Sequence, residues 1–318
     1  MTHTHSSTER RADGQPQTSV PPAAPSRAEL LVWLDGALVP RSQAKVSVYD
    51  HGVLYGDGCF EGIRAYGGRI FKLGAHLRRL WSSAEKIRLR LAHSQEELAE
   101  AIRATMAANG LVDAYIRLVV TRGAGTLGLH PFRCPVPGTF IIADSIQLYP
   151  EELYRDGMKV IVARRPRIPV ACLDPSIKSL NYLNNVLAKI EAIDAGVLEA
   201  IMLNVDGHVA ECTGDNIFIV KDGRVATPSP ESGLLLGITR QFVMDDLCPT
   251  LGIPVEERLI RLEEVLGADE VFLTGTAAEI IGVSQVDERM IGSGRVGPIT
   301  ARLERLFRER VAKEAPED

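Results

Sequence analysis

Cysteines are few in this sequence, and none lie close together. Five are scattered singly along 318 residues, without a C-x-x-C pair: Cys59, Cys134, Cys172, Cys212 and Cys248. This spacing argues against a zinc site and against a disulfide framework. We therefore expect a protein of the reducing cytoplasm that holds no metal.

Long apolar runs and an excess of basic charge are also missing. No run approaches the roughly 18 residues that cross a bilayer, and the N-terminus lacks the apolar core of a signal peptide. The chain has 36 Lys and Arg against 41 Asp and Glu, a formal charge of −5. We expect neither a membrane nor a nucleic acid as partner, so small molecules are the favoured ligands.

The composition is that of a soluble globular protein, with 45% hydrophobic and 24% charged residues, and 318 residues suffice for two domains. Residues 1–28 are rich in Ser, Thr, Pro and charge, which predicts a disordered tail. We expect a small N-terminal domain over residues 29–145, an interdomain loop over 146–157 and a large C-terminal domain over 158–318.

Short strands alternate with amphipathic helices in both halves, which predicts a mixed α/β fold. Asp35-Gly36 lies between two apolar runs and predicts a hairpin. Ser94 and Glu97 form a capping box that begins a helix. A later helix, GITRQFVMDDLCPTLG, should be disturbed in its last turn by Pro249.

A dinucleotide-binding pattern near the C-terminus is deceptive. Gly292, Gly294 and Gly297 spell G-x-G-x-x-G before a helix that should have Pro298 in its first turn. The chain that follows is too short for the second strand and the ribose-binding acid of such a unit. We interpret the pattern as a glycine-rich turn.

The segment from Ser47 to Gly62 is rich in glycine, so its backbone can turn tightly and approach a ligand. Tyr55, Phe60 and Arg64 could add an aromatic wall and a guanidinium for a phosphate or carboxylate. Phe60 as a core residue and Arg64 as a surface residue fit the composition equally well. We interpret His51 as a structural histidine in a turn.

The strand AYIRLVVT alternates in period two, so Tyr115 and Arg117 share one face while Ile116 and Leu118 share the other. If the polar face lines a pocket, it forms a carboxylate receptor with a neighbouring hydroxyl. The sequence alone does not decide whether that face meets a pocket or water.

Lys178 lies at the junction of a strand-like stretch and a helix, in a partly apolar setting that could favour a nucleophilic amine, although most such lysines are solvated. Glu211 follows a strand and could balance a positive heterocyclic nitrogen or only cap a turn. Two further stretches, 237–240 and 275–279, could hold an anion or only cap helices and turns.

Together, the motifs FEGIRAY, AYIRLVVTRG, IKSLNYLNNVLAK, GDNIF, GITR and LTGTAAE resemble the class IV aminotransferases, most closely the branched-chain amino acid aminotransferases. The resemblance runs from about Leu30 to the C-terminal helix. It implies the type IV fold of pyridoxal 5′-phosphate enzymes, with a small N-terminal α/β domain and a larger, barrel-like C-terminal α/β domain.

The resemblance also implies roles for single residues. Lys178 would form the Schiff base with pyridoxal 5′-phosphate and shuttle the proton, Tyr182 would bond the phenolic oxygen, and Glu211 would pair with the pyridine nitrogen. The implied phosphate-binding residues are Arg64, Ile238, Thr239 and Thr276. The implied substrate-binding residues are Tyr55, Phe60 and Tyr115 as apolar walls, Arg117 for the glutamate side chain, and Ala277 and Ala278 for the α-carboxylate.

The activity so implied is reversible, ping-pong transfer of the amino group between L-leucine, L-isoleucine or L-valine and 2-oxoglutarate. Two relatives of the same fold stay as alternatives: a D-amino acid aminotransferase, which carries an arginine and a histidine where we align Leu127 and Leu129, and an aminodeoxychorismate lyase. A non-catalytic binding protein is a third. The resemblance implies a homodimer or a hexamer built as a trimer of dimers.

Overall fold

The structure, a computed structural model, describes residues 29–145 and 149–313. The predicted disordered tail, 1–28, lies outside the described residues, as do the first three positions of the predicted interdomain loop, 146–148. The remainder of that link contains a short helix, Glu151–Asp156, so it is not a loop throughout. The domain boundaries stay a prediction.

The N-terminal half forms a six-stranded antiparallel sheet in the order β2-β1-β6-β5-β3-β4. Its strands are β1 (Leu31–Leu34), β2 (Ala37–Pro40), β3 (Gly58–Tyr66), β4 (Arg69–Ile70), β5 (Ala114–Thr121) and β6 (Gly138–Asp144). Its helices are α1 (His51–Tyr55), α2 (Leu73–Lys86) and α3 (Gln95–Ala108). Helices α2 and α3 pack on the sheet through one apolar cluster.

Several local predictions for this half are confirmed. Asp35 and Gly36 form the turn between β1 and β2 with φ angles of 45° and 101°. Ser94 and Glu97 form both bonds of the capping box that begins α3. The even positions of β5 are buried in the core, which leaves Tyr115 and Arg117 together on the opposite face.

The C-terminal half forms a nine-stranded mixed sheet in the order β12-β11-β10-β13-β14-β7-β8-β9, with β15 paired to β14. Its strands are β7 (Met158–Val162), β8 (Glu199–Leu203), β9 (Val209–Cys212), β10 (Asn216–Lys221), β11 (Arg224–Pro228), β12 (Val255–Arg258), β13 (Glu270–Gly275), β14 (Glu279–Val286) and β15 (Arg289–Met290). The Val209 amide donates to the Ile260 carbonyl, 2.8 Å away. The two ends of the sheet therefore approach each other, as in a barrel.

Six helices among the described residues surround this sheet: α4 (Glu151–Asp156), α5 (Leu183–Asp194), α6 (Ile238–Phe242), α7 (Cys248–Thr250), α8 (Leu262–Leu266) and α9 (Pro298–Lys313). A π-helical turn, Val243–Leu247, joins α6 to α7 and ends two residues before Pro249. The predicted disturbance thus lies one turn upstream of the proline, because Pro249 has no N–H to give the preceding turn. No helix of the described ranges is long and apolar enough to span a membrane.

The glycine-rich pattern at 292–297 is a turn, as predicted. The backbone amides at the start of α9, which follows this turn, already donate to a side chain of the protein. The Glu270 carboxylate accepts from the Ile299 and Thr300 amides at 3.0 and 2.7 Å and from the Thr300 hydroxyl at 2.7 Å. Gly297 permits this approach, since a Cβ there would lie 2.0 Å from Glu270 Cδ. A buried carboxylate therefore takes the place that a phosphate holds in dinucleotide-binding folds.

We expect Glu270→Ala to lower the free energy of unfolding by about 2 kcal/mol, because the first turn of α9 loses a carboxylate that accepts three hydrogen bonds. Urea denaturation followed by circular dichroism measures this loss. Glu309→Ala, an exposed change on the same helix, is the control. Equal stability of the two variants would contradict the assigned cap.

Candidate active site

The two halves of the chain meet where β3 runs beside residues 178–180. The Phe60 amide donates to the Lys178 carbonyl at 3.0 Å, and the Leu180 amide donates to the Gly58 carbonyl at 2.9 Å. Cys59 and Ser179 form an isolated antiparallel bridge between them. The backbone of Lys178 is therefore held as a short extra strand against the N-terminal sheet.

The amine of Lys178 points into a cleft beside this junction. Its Nζ lies 3.2 Å from the Tyr182 hydroxyl and 4.7 Å from the centroid of the Phe60 ring. The Lys178 amide donates to Ser83 Oγ of α2 at 3.1 Å. Bonds on both sides of the backbone thus fix the position of an amine that has an aromatic surface on one side and a hydroxyl on the other.

A buried carboxylate lies deeper in the same cleft. Glu211, on β9, accepts from Arg167 Nε at 2.8 Å through one oxygen and from the Leu235 amide at 3.0 Å through the other. Burial raises the pKa of Glu211, although the charge of Arg167 acts in the opposite direction. A cationic nitrogen placed here would favour the ionised form of this carboxylate.

The other end of the cleft suits an anion. Thr239, at the start of α6, and Thr276, after β13, line it, together with the backbone at Ile238. Gly237 is required by packing, because a Cβ there would lie 2.0 Å from Asn216 Oδ1. Hydroxyls and helix-start amides together make a phosphate-binding arrangement.

Among the described residues that line this cleft there is one arginine, Arg79 of α2. We did not predict this residue from the sequence. Its Nε and Nη2 donate to the two Glu61 oxygens at 2.8 and 2.7 Å, and its Nη1 donates to the Leu236 carbonyl at 2.8 Å. A signal was available: His76, Arg79 and Ser83 form a polar stripe on a helix whose other inward positions are apolar.

Glu61, which holds Arg79, is fully buried on β3. His76 Nδ1 lies 2.8 Å from its second oxygen. Burial alone would raise the pKa of Glu61, but the charge and hydrogen bonds of Arg79 and the bond from His76 outweigh it and lower the pKa to about 2. Glu61 is therefore the fixed counter-charge of the arginine in the cleft.

A cavity of about 340 Å³ opens next to Lys178. Phe60, Tyr115 and Arg117 line it, with Arg117 Cζ 4.6 Å from the Phe60 centroid and Arg117 Nη2 2.9 Å from the Tyr115 hydroxyl. Gly62 of β3 leaves room for this hydroxyl, since a Cβ there would lie 2.1 Å from it. The polar face of β5 thus borders a cavity and not open water.

The far side of this cavity holds polar residues absent from our predicted set. Asp215 accepts from the Tyr149 hydroxyl at 3.3 Å, and Glu199 pairs with Lys189 at 3.1 Å. Burial, reinforced by the charge of Glu199, raises the pKa of Asp215 to about 7. The GDNIF motif contains Asp215, and so it offered a signal for this wall.

Three predicted site residues lie outside the lining of both cavities. Arg64 Nη1 donates to the Ala277 carbonyl at 3.2 Å, and its Nη2 lies 4.0 Å from Glu279. Tyr55 packs edge-on against His51 and accepts from the Gly128 amide at 2.8 Å. Ala278 is buried in the core of the C-terminal half, whereas its neighbour Ala277 lines the cavity.

The chain that forms this cleft matches a known family over most of its length. The family model described as amino-transferase class IV matches residues 58–286. The chain is a class IV aminotransferase. This confirms the family that the sequence motifs indicated, and the matched range begins at β3 and ends with β14.

Relatives and solved structures agree with this assignment. A Methanocaldococcus jannaschii protein, provisionally named a branched-chain-amino-acid aminotransferase, is 48% identical over 278 residues, which cover 87% of this chain and 95% of that one. The crystal structure of the Escherichia coli branched-chain amino acid aminotransferase has a TM-score of 0.87 and 35% identity, covering 91% of this chain and 97% of that chain.

Two crystal structures of the T.th. branched-chain amino acid aminotransferase carry ligands. One contains N-(5′-phosphopyridoxyl)-L-glutamate (TM-score 0.85, 37% identity, 91% of this chain and 96% of that chain). The other contains 4-methylvaleric acid (TM-score 0.85, 37% identity, 92% and 97%). The predicted mixed α/β, type IV fold of this aminotransferase is therefore confirmed.

The Glu61–Arg79 pair makes the stability of the aminotransferase depend on pH. Because the pKa of Glu61 falls from an ordinary 4.5 to about 2, its contribution is complete above pH 4.5 and is lost as the pH falls toward 2. Glu61→Gln should remove this dependence and cost about 3–5 kcal/mol at pH 7, because Arg79 stays buried without its counter-charge.

Denaturant unfolding of the cofactor-free protein between pH 3 and pH 7 measures both effects. Glu100→Gln, at an exposed site of α3, is the matched control and should follow the wild type. A Glu61→Gln variant as stable as this control at pH 7 would refute the assignment.

Proposed function

We propose that this protein is a branched-chain amino acid aminotransferase that uses pyridoxal 5′-phosphate to move amino groups between L-leucine, L-isoleucine or L-valine and 2-oxoglutarate. One observation carries the proposal: the amine of Lys178 faces a cavity with both an aromatic wall, Phe60 and Tyr115, and a guanidinium, Arg117. A pocket of this kind suits an apolar side chain and a carboxylate in turn. The names of the relatives support branched-chain amino acids as substrates.

The residues of the cleft fit pyridoxal 5′-phosphate. Its phosphate would be held by Thr239, Thr276, the backbone at Ile238 and, we propose, by Arg79 in place of Arg64. Glu211 would face its ring nitrogen and Tyr182 its phenolic oxygen. When bound, the cofactor supplies an electron sink for the electrons left by the departing α-proton.

Lys178 is the group that we assign to proton transfer. Its backbone is bonded to Phe60 and Ser83, so its amine has a limited range of positions. The Tyr182 hydroxyl, 3.2 Å from Nζ, helps to orient the amine. A held amine of this kind can take a proton from the α-carbon of a substrate and hold it at Nζ.

Arg117 and its neighbours would serve both substrates from one wall. Its guanidinium lies over the Phe60 ring and donates to the Tyr115 hydroxyl. These contacts leave guanidinium donors for the side-chain carboxylate of glutamate. A branched aliphatic side chain would instead contact the faces of the two rings. The turn after β13 would offer the amides of Ala277 and Ala278 to the α-carboxylate of either substrate.

We further propose that the protein acts as a homodimer or as a hexamer built as a trimer of dimers. Val48, Val53, Leu127 and Leu129 expose large apolar side chains around α1 and the loop after β5. Tyr55 lies in the same region and bonds the backbone of that loop. We assign Tyr55 to the cavity of a neighbouring copy. A cytoplasmic location stays a prediction.

The alternatives receive less support. The loop after β5 has Leu127 and Leu129, 69% and 79% exposed, where a D-amino acid aminotransferase would present an arginine and a histidine. The relatives reported above carry branched-chain names, not those of lyases. A non-catalytic binding protein has no use for the held amine of Lys178.

The decisive assay is an absorbance titration of the protein reconstituted with cofactor. We expect L-leucine to bleach the visible band, 2-oxoglutarate to restore it, and parallel double-reciprocal plots to report a ping-pong reaction. Lys178→Ala should lower turnover by at least about 1,000-fold, which is the order of magnitude of a lost proton-transfer group. Lys159→Ala, at an exposed position of β7, is the control.

Two results would count against the proposal. Bleaching by D-leucine alone would assign the protein to the D-amino acid enzymes. Undiminished turnover by Lys178→Ala would contradict the assignment of proton transfer to Lys178, whereas a wild-type protein without turnover would favour the binding-protein alternative.

Arg117→Met should affect kcat/KM for the two substrates to different extents. We expect about a 10- to 100-fold loss in kcat/KM for 2-oxoglutarate, because a charge-assisted bond contributes about 1.5–3 kcal/mol, and less than about a 3-fold change for L-leucine. Steady-state kinetics with each substrate varied in turn measure the split. Arg103→Met on α3 is the control. Equal losses for both substrates would rule out this role for Arg117.

A further inference from the structure

The hairpin turn between β13 and β14 carries backbone strain beside the cavity. Gly275 and Glu279 are paired across it, and Thr276 and Ala277 line the cavity. Glu279 closes the turn with φ 60°, the left-handed region in which hairpin loops of this length favour glycine. The chain thus keeps a glutamate where a glycine would be more relaxed, and such strain often marks a functional position.

The Glu279 side chain connects the turn to two other elements. Its Oε1 accepts from the Tyr66 hydroxyl of β3 at 2.9 Å and lies 4.0 Å from Arg64 Nη2. Its Oε2 lies 4.0 Å from Arg308 Nε of α9. The carboxylate is only 14% exposed, so these contacts form in a partly desolvated place, where they are stronger than at the surface.

The turn is also held by its carbonyls. Arg64 Nη1 donates to the Ala277 carbonyl at 3.2 Å, and the Tyr154 hydroxyl of α4 donates to the Ala278 carbonyl at 3.1 Å. In a planar trans peptide the amide points away from the preceding carbonyl. Because the Ala277 carbonyl points toward Arg64, the Ala278 amide of the same peptide points in the opposite direction, away from Arg64.

We propose that Glu279, Arg64 and Tyr154 are positioning residues that hold this turn so that its amides bind the α-carboxylate of the substrate. Arg64 thereby acts on the substrate side of the site, through the backbone, and not on the cofactor phosphate. The proposal rests on the proposed function, because it assigns the substrate group that the turn receives.

The variant Glu279→Gly, tested in the holoenzyme, distinguishes the backbone strain at this position from the role of the carboxylate in positioning the turn. Glycine accepts φ 60° without strain but removes the carboxylate. We expect about a 10-fold rise in KM for L-leucine and in the dissociation constant of 4-methylvalerate, with kcat changed by less than about 2-fold, since the α-carboxylate is bound in both ground and transition states. Glu279→Gln, which keeps an oxygen for the Tyr66 hydroxyl, should recover most of the affinity.

The matched control is Asp222→Gly. Asp222 has φ 49° in the exposed turn between β10 and β11, so glycine relieves the same strain away from the cavity. It should leave both constants unchanged. If Glu279→Gly does not fold, Tyr154→Phe decides, and weaker binding of 4-methylvalerate by this variant supports the proposal.

Wild-type affinities in Glu279→Gly, or in Tyr154→Phe where that variant decides, would overturn the positioning role. A wild-type enzyme that does not convert L-leucine would instead contradict the proposed function. The two failures are therefore distinguishable.

Discussion

The site depends on one short stretch of backbone pairing between the two halves of the chain. Residues 178–180 add to the edge of β3 by two backbone hydrogen bonds, Phe60 to Lys178 and Leu180 to Gly58. Because backbone bonds fix both position and direction, they orient the lysine amine toward the Phe60 ring without a specialised side chain. Loss of this pairing would separate the amine from the cavity wall.

Two arginines of the N-terminal half extend this control to the turns of the C-terminal half. Arg79 donates to the Leu236 carbonyl beside the anion cradle, and Arg64 donates to the Ala277 carbonyl beside the substrate cavity. The buried carboxylate of Glu61 fixes the first arginine, while Glu279 lies against the second. Each turn thus derives its orientation from a strand or helix of the other half.

The sequence predicted those parts of the molecule whose causes are local. The capping box at Ser94, the turn at Asp35-Gly36 and the alternation of β5 follow from neighbouring residues, and the structure has all three. Arg79 was missed because its partner Glu61 lies 18 positions away on another element, although the polar stripe of α2 offered a local signal. The contact of Arg64 with Ala277, 213 positions away, could not be predicted from neighbouring residues.

The alternation of β5 has a consequence for how this enzyme can diversify. One face of the strand supplies Tyr115 and Arg117 to the cavity, and the other supplies Ile116 and Leu118 to the core. Inserting or deleting a single residue would exchange the faces, destroying recognition and packing together. Evolution can therefore tune substrate choice here only by replacing side chains, while changes in chain length are confined to the loop that follows the strand.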